Sequence, residues 1–190
     1  IDSTTIQLFK DLLRCVGRKP IAGKSKGGIK VHLQIRADYN LPTLVKFTEA
    51  TVHDSHFISH ITFTPDSIYC FDKGYTDYLL FERFNREQIP FVTRIKDNAK
   101  FTAQQEYSLD NCTDDAVLKD EQITLPIREN GTVVRQLPLR RIAYWSEQHN
   151  KCYEFITNIY DLLPQQIAQI YKQRWQIELL HKQLKQNFPL

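Results

Sequence analysis

Apolar side chains recur along this chain with two different periods, and those periods divide it into strands and helices. Residues 1–6, rich in β-branched side chains after Asp2-Ser3, predict a strand, and Leu8, Phe9, Leu12 and Leu13 have the spacing of a short helical turn. Ile29, Val31, Leu33 and Ile35 alternate with Lys30, His32, Gln34 and Arg36, the pattern of a half-buried strand. The turn residues Asp38-Tyr39-Asn40 and the Val-, Phe- and Thr-rich stretch 41–51 then predict an antiparallel hairpin. Asp54-Ser55 predicts a helix cap ahead of Phe57, Ile58 and Ile61, and the apolar run 67–71 predicts a buried strand that ends at Asp72 and breaks at Gly74. Thr76 is the expected cap of a helix carrying Tyr78, Leu79, Leu80, Phe81 and Phe84, and Pro90 introduces a strand over 91–95.

The pattern changes after residue 96. Residues 101–130 hold seven acidic and two basic side chains, and Asn130-Gly131 has the chemistry of a tight turn between two candidate strands. A strand over 153–157 follows. Pro164 suits the first turn of a helix and no breaker intervenes before Pro189, so one long helix is expected through about residue 186. The predicted organisation is a core over 1–96, a β-rich insertion over 97–158 and a helical segment over 159–190 that completes the core. There is no internal repeat and no low-complexity tract.

With 190 residues, 42% of them hydrophobic and 25% charged, the chain can bury a core of ordinary globular type. Its 25 Lys and Arg against 22 Asp and Glu leave a net charge of only +3, so any contact with nucleic acid has to come from local clusters of charge. No apolar run approaches the length of a membrane span, and the first residues lack the basic-then-apolar order of a secretory signal. Methionine is absent, position 1 included, and the chain is therefore expected to be a segment of a longer protein. Cys15, Cys70, Cys112 and Cys152 form no C-x-x-C pair, which points to reduced, packing cysteines rather than a zinc site or a disulfide framework.

The most informative chemistry lies near the C-terminal end. On one continuous helix, Tyr171, Arg174, Glu178 and Lys185 fall at relative angles of about 0°, 300°, 340° and 320°, a single narrow face about 21 Å long. Ile170, Ile177 and Leu184 make the adjacent apolar stripe. A solvated, salt-bridged face would account for these residues, but Arg before Glu is the weaker i,i+4 orientation, so helix stability gives little reason for it. Two aspartates at strand ends, Asp2 and Asp72, change the balance, because carboxylates there are costly to bury unless a cation or hydrogen bonds offset them, and a metal is the simplest partner. Two aspartates and a glutamate are the hard oxygen donors that Mg²⁺ takes, with positions left for water and phosphate.

Asp2-Ser3-Thr4, Asp72-Lys73-Gly74-Tyr75 and Tyr171-x2-Arg174-x3-Glu178-x6-Lys185 resemble the three catalytic motifs of bacterial insertion-sequence DDE transposases, in the subgroup with a Tyr-Arg-Glu-Lys signature. The resemblance covers essentially the whole chain. It implies an α/β, RNase H-like fold: a mixed β-sheet flanked by helices, with a β-rich insertion before the last helix. It also implies that Asp2, Asp72 and Glu178 are catalytic and hold two Mg²⁺ ions, for which Mn²⁺ can substitute. Arg174 and Lys185 would grip phosphates near the cut bond, with Tyr171 positioning one of those groups. The implied partner is double-stranded DNA, as transposon ends and target, bound by a homodimer of the full-length protein in the bacterial cytoplasm at the nucleoid.

Further candidates carry less specific signals. Tyr153 is a candidate for stacking on a base flipped from the duplex end, as an aromatic does in some relatives, and Trp145 competes for that role. Arg18, Lys19, Lys24, Lys26 and Lys30 share a glycine-containing stretch with no acidic residue, a plausible backbone contact for DNA through Lys24, Lys26 and Lys30. It is not a P-loop, because Arg18 stands where the upstream glycine is required. His32, His53 and His56 match no metal-ligand spacing and are expected to be structural. Two other functions remain open at this stage: an RNase H-like nuclease that only hydrolyses nucleic acid, and an inactive, transposase-derived DNA-binding module.

Overall fold

The computed structural model of the chain describes residues 1–7, 28–39 and 41–187. The helical turn expected at Leu8–Leu13 and the lysines Lys24 and Lys26 lie outside the described residues. Two compact units are present, one formed by residues 1–62 with 174–190, the other by 63–173.

In the first unit β1 (Asp2–Gln7), β2 (Gly28–Arg36) and β3 (Leu41–Glu49) make an antiparallel sheet in the order β1-β2-β3. The alternation read from the sequence sorts its two faces. Val31 and Leu33 pack with Ile177 of α4 (Trp175–Asn187) on one face. On the opposite face His32 is fully buried, bonded to Thr48 Oγ1 at 2.8 Å and stacked on Phe57 of the short helix α1 (Ser55–Ile58). Asp54 does not cap α1 with its side chain as expected. Its carboxylate instead accepts from Ser3 Oγ at 2.8 Å and pairs with Lys30 Nζ at 3.1 Å, stronger uses of a partly shielded charge than an exposed cap.

Burial pushes the His32 imidazole below its ordinary value of 6.5; Asp54 opposes the shift and Lys30 and Lys46 add to it. The unfolded chain therefore takes up a proton as the pH falls past about 6.5, while the folded chain does not. Stability tied to His32 is present above that pH and is lost below it, until the folded imidazole also titrates. His32→Gln is expected to flatten the fall in urea midpoint between pH 7.5 and 5.5; an equally steep fall in the variant would contradict this.

The second unit is built on a six-stranded mixed sheet of order β4-β5-β9-β8-β7-β6. Its strands are β4 (Tyr69–Phe71), β5 (Phe91–Arg94), β6 (Thr102–Glu106), β7 (Val117–Glu129), β8 (Thr132–Ser146) and β9 (Lys151–Thr157). Only β4 and β5 run parallel, and the helix α2 (Tyr78–Glu87) makes the crossover that a parallel pair requires. Asp77, not Thr76, caps α2, accepting from Leu79 and Leu80 N–H groups; both residues have cap chemistry, and Thr76 Oγ1 is occupied by the Lys73 carbonyl. The β7–β8 hairpin turns at Asn130-Gly131, both with positive φ, as the tight turn demands.

Strand alternation gives this sheet two apolar faces. Phe81 and Phe84 of α2 cover Phe71 and Phe91, with ring centroids 4.4 to 6.0 Å apart. Ile167, Ala168 and Tyr171 of α3 (Pro164–Gln173) pack with Val92, Ile142, Tyr144 and Phe155. The architecture agrees with the α/β, RNase H-like expectation of a mixed sheet flanked by helices, and the sheet does not close into a barrel. Among the described residues no helix is long and apolar enough to cross a membrane.

The long helix expected from Pro164 is interrupted. It divides at Arg174 into α3 and α4, where the two units also meet in sequence. No glycine or proline accounts for the break. The residue that leaves the helical path, Arg174, pairs with Asp2 from the other end of the sequence and with Glu178 one turn on, and the long-range pair is a contact that helical periodicity does not report.

Candidate active site

Asp2 is the first residue of β1 and lies opposite Leu33 of β2, which puts it on the face packed by α4. Its Oδ1 accepts from the Ser3 N–H at 2.8 Å, and its Oδ2 accepts from Arg174 Nη1 at 3.1 Å. Arg174 Nη2 donates to Glu178 Oε1 at 2.5 Å. A single guanidinium, 4% exposed, thus draws together carboxylates from the two ends of the sequence. Glu178 stands in the first turn of α4, where the unpaired N–H groups of a helix favour an anion.

Asp72 belongs to the second unit. It follows the last residue of β4 in an extended conformation, and its backbone carbonyl accepts from Tyr75 N–H to open a 3₁₀ turn over Lys73–Tyr75. Tyr75, buried against Phe71, anchors that turn. Asp72 Oδ1 is shielded from solvent, accepts no hydrogen bond among the described residues, and lies 3.6 Å from Arg94 Nη2. Arg94 lies over two aromatic rings, its Cζ 5.5 Å from the Tyr153 centroid and 5.8 Å from that of Tyr171. Nearby, Lys172 Nζ donates to Tyr144 Oη at 2.8 Å.

The candidates therefore divide between the units. Asp2, Arg174 and Glu178 meet directly, with Lys185 further along α4; Asp72, Tyr153 and Tyr171 gather around Arg94. The single helix face on which Tyr171 was expected to stand beside Arg174, Glu178 and Lys185 is split by the break at Arg174. Lys30 Nζ is engaged by the Val52 carbonyl at 2.7 Å as well as by Asp54. Tyr153 is half-buried and stacks at 11° on Phe155, while Trp145 is 37% exposed.

Arg94 is the candidate that sequence reasoning overlooked. A signal was available: a strand next to the Asp72 strand ends in a lone cation, in the alternation phase of Asp72 itself.

Among the described residues no three His, Cys, Asp or Glu side chains are grouped as ligands of one ion. The donor chemistry nonetheless fits a hard divalent cation. Asp2 and Glu178 offer oxygen donors already gathered around a positive charge, and the sheltered Asp72 Oδ1 is an acceptor 3.6 Å from Arg94 Nη2, beyond hydrogen-bond distance.

Residues 1–190 match the family described as "Transposase DDE domain". A protein named as a transposase in Sinorhizobium fredii is 28% identical over 200 residues, covering 100% of this chain and 56% of the relative. One named as the transposase for an insertion sequence element in Geobacillus stearothermophilus is 24% identical over 186 residues, covering 98% of this chain and 47% of the relative. The chain spans about half the length of these curated relatives. Matched from its first residue to its last, it belongs to the family of transposase DDE domains.

Proposed function

We propose that the full-length protein cuts DNA at the ends of a mobile element and joins the resulting 3′-hydroxyl ends to target DNA, using Asp2, Asp72 and Glu178 to hold two divalent ions, Mg²⁺ or Mn²⁺. The observation that carries this reading is the meeting of Asp2 and Glu178 on the Arg174 guanidinium, in a chain of this family. When bound, such a pair of ions stabilises the attacking and leaving oxygens of an in-line displacement at phosphorus.

The chain's own residues supply the rest. Asp2 on a paired strand and Glu178 in a helical first turn hold their carboxylates on ordered backbone. Arg174 and Lys185 bind phosphate oxygens beside the scissile bond, Arg174 through its fork and Lys185 as a point charge. Arg94, over the rings of Tyr153 and Tyr171, adds a cation beside Asp72, and Tyr153 offers a stacking surface for a displaced base. Lys24, Lys26 and Lys30 contact the DNA backbone, Lys30 from a side chain paired with Asp54. Water attacks in the cutting step and the 3′-hydroxyl in the joining step, so one site serves both. In this reading 97–158 is an insertion into a core completed by 159–190, and the working form is a homodimer acting at the nucleoid.

The test is a strand-transfer assay with the full-length protein and a precut element end bearing a 3′-hydroxyl. Joined product is expected. Hydrolysis without joining would identify a nuclease, and DNA binding with neither would identify an inactive module.

A further inference from the structure

We infer that Arg174 is a built-in counter-ion, holding the place between Asp2 and Glu178 that a divalent cation must take over. This rests on the two-ion reading of the site and adds a step before it. Both terminal nitrogens of Arg174 are directed at those carboxylates, at 3.1 and 2.5 Å, and its side chain is 4% exposed. Two carboxylates drawn together without a cation between them would repel each other and move apart. The guanidinium removes that repulsion and keeps the pair gathered before metal arrives. It also lowers the local charge from −2 to −1, so it opposes the ion it prepares for.

The same geometry separates two duties of one side chain. A guanidinium committed to Asp2 and Glu178 is turned away from DNA phosphate. An ion that takes both carboxylates releases the fork, which is then available to grip phosphate. Ion occupancy and phosphate contact are thereby coupled through one residue, and the coupling is reciprocal: DNA that captures Arg174 favours ion binding.

The experiment titrates Mn²⁺ alone into full-length wild type, Arg174→Gln, Arg174→Lys and Glu178→Gln by calorimetry, with circular dichroism to confirm folding. Arg174→Gln is expected to bind Mn²⁺ about tenfold more tightly, since a unit charge a few ångströms from the ion is removed. Its unfolding temperature in EDTA should fall below wild type, and its rise on adding Mn²⁺ should exceed that of wild type. Arg174→Lys keeps the charge without the fork and should tighten binding about threefold; it carries the test if Arg174→Gln does not fold. Folded variants that bind Mn²⁺ no more tightly than a wild type whose binding depends on Glu178 would overturn the counter-ion role alone. Mn²⁺ binding that Glu178→Gln leaves unchanged would overturn the two-ion reading, and this inference with it.

Discussion

Glu178→Gln in the full-length protein is expected to lower Mg²⁺-dependent DNA cleavage and joining by about a thousandfold or more. The size follows from the several kcal/mol of charge stabilisation that bound ions provide, each ~1.4 kcal/mol being a factor of ten in rate. Glutamine keeps an oxygen that accepts from Arg174 Nη2, and Glu178 sits on the half-exposed side of α4, so the fold should persist. What disappears is the negative charge. Asp72→Asn should have a comparable effect through the second unit, where Asp72 Oδ1 accepts no hydrogen bond among the described residues, so the isosteric amide breaks none at that atom. Rates are read from cleavage of a labelled element end, with circular dichroism as the control for folding. Activity within a few-fold of wild type in either variant would remove that carboxylate from the site.

The largest effect on stability is expected away from that site. Arg140 and Asp120 form a two-pronged ion pair at 2.8 and 2.6 Å on adjacent strands β8 and β7, with side chains 6% and 3% exposed. Arg140 Nη1 also donates to the carbonyls of Ile159 and Leu162, tying the segment before α3 to the sheet. Arg140→Met leaves Asp120 charged and buried without its partner, a loss of about 3–5 kcal/mol. The double variant Asp120→Leu with Arg140→Met should recover part of it, because a matched apolar pair removes the uncompensated charge while the Ile159 and Leu162 carbonyls still lose their donor. Urea unfolding of the two variants and wild type decides the matter. A loss under 1 kcal/mol in Arg140→Met, or no recovery in the double variant, would contradict the account.

Much of the fold was legible because it depends on local period and turn chemistry. The alternation from Ile29 to Ile35 became β2, and Asn130-Gly131 became the β7–β8 turn. Where two neighbouring residues share the same chemistry, pattern could not choose between them, as with Thr76 and Asp77 at the start of α2. Where a charged group has a distant partner, pattern located it without its contacts. Asp54 reads as a helix cap but serves Ser3 and Lys30, and the uninterrupted helical stretch around Arg174 gives no hint of the break there. The candidate site was legible as residue types at fixed spacing. The joining of Asp2 and Glu178 through Arg174, and the pairing of Arg94 with Asp72 beside two tyrosines, are contacts between distant segments that spacing does not encode.

The most direct test of the central claim is an anomalous-diffraction map from crystals of the full-length protein soaked in Mn²⁺. Two peaks about 3.5–4 Å apart, liganded by Asp2, Asp72 and Glu178, are the expected result. Peaks bound elsewhere, with Asp2 and Glu178 still closed on Arg174 at saturating Mn²⁺, would contradict it.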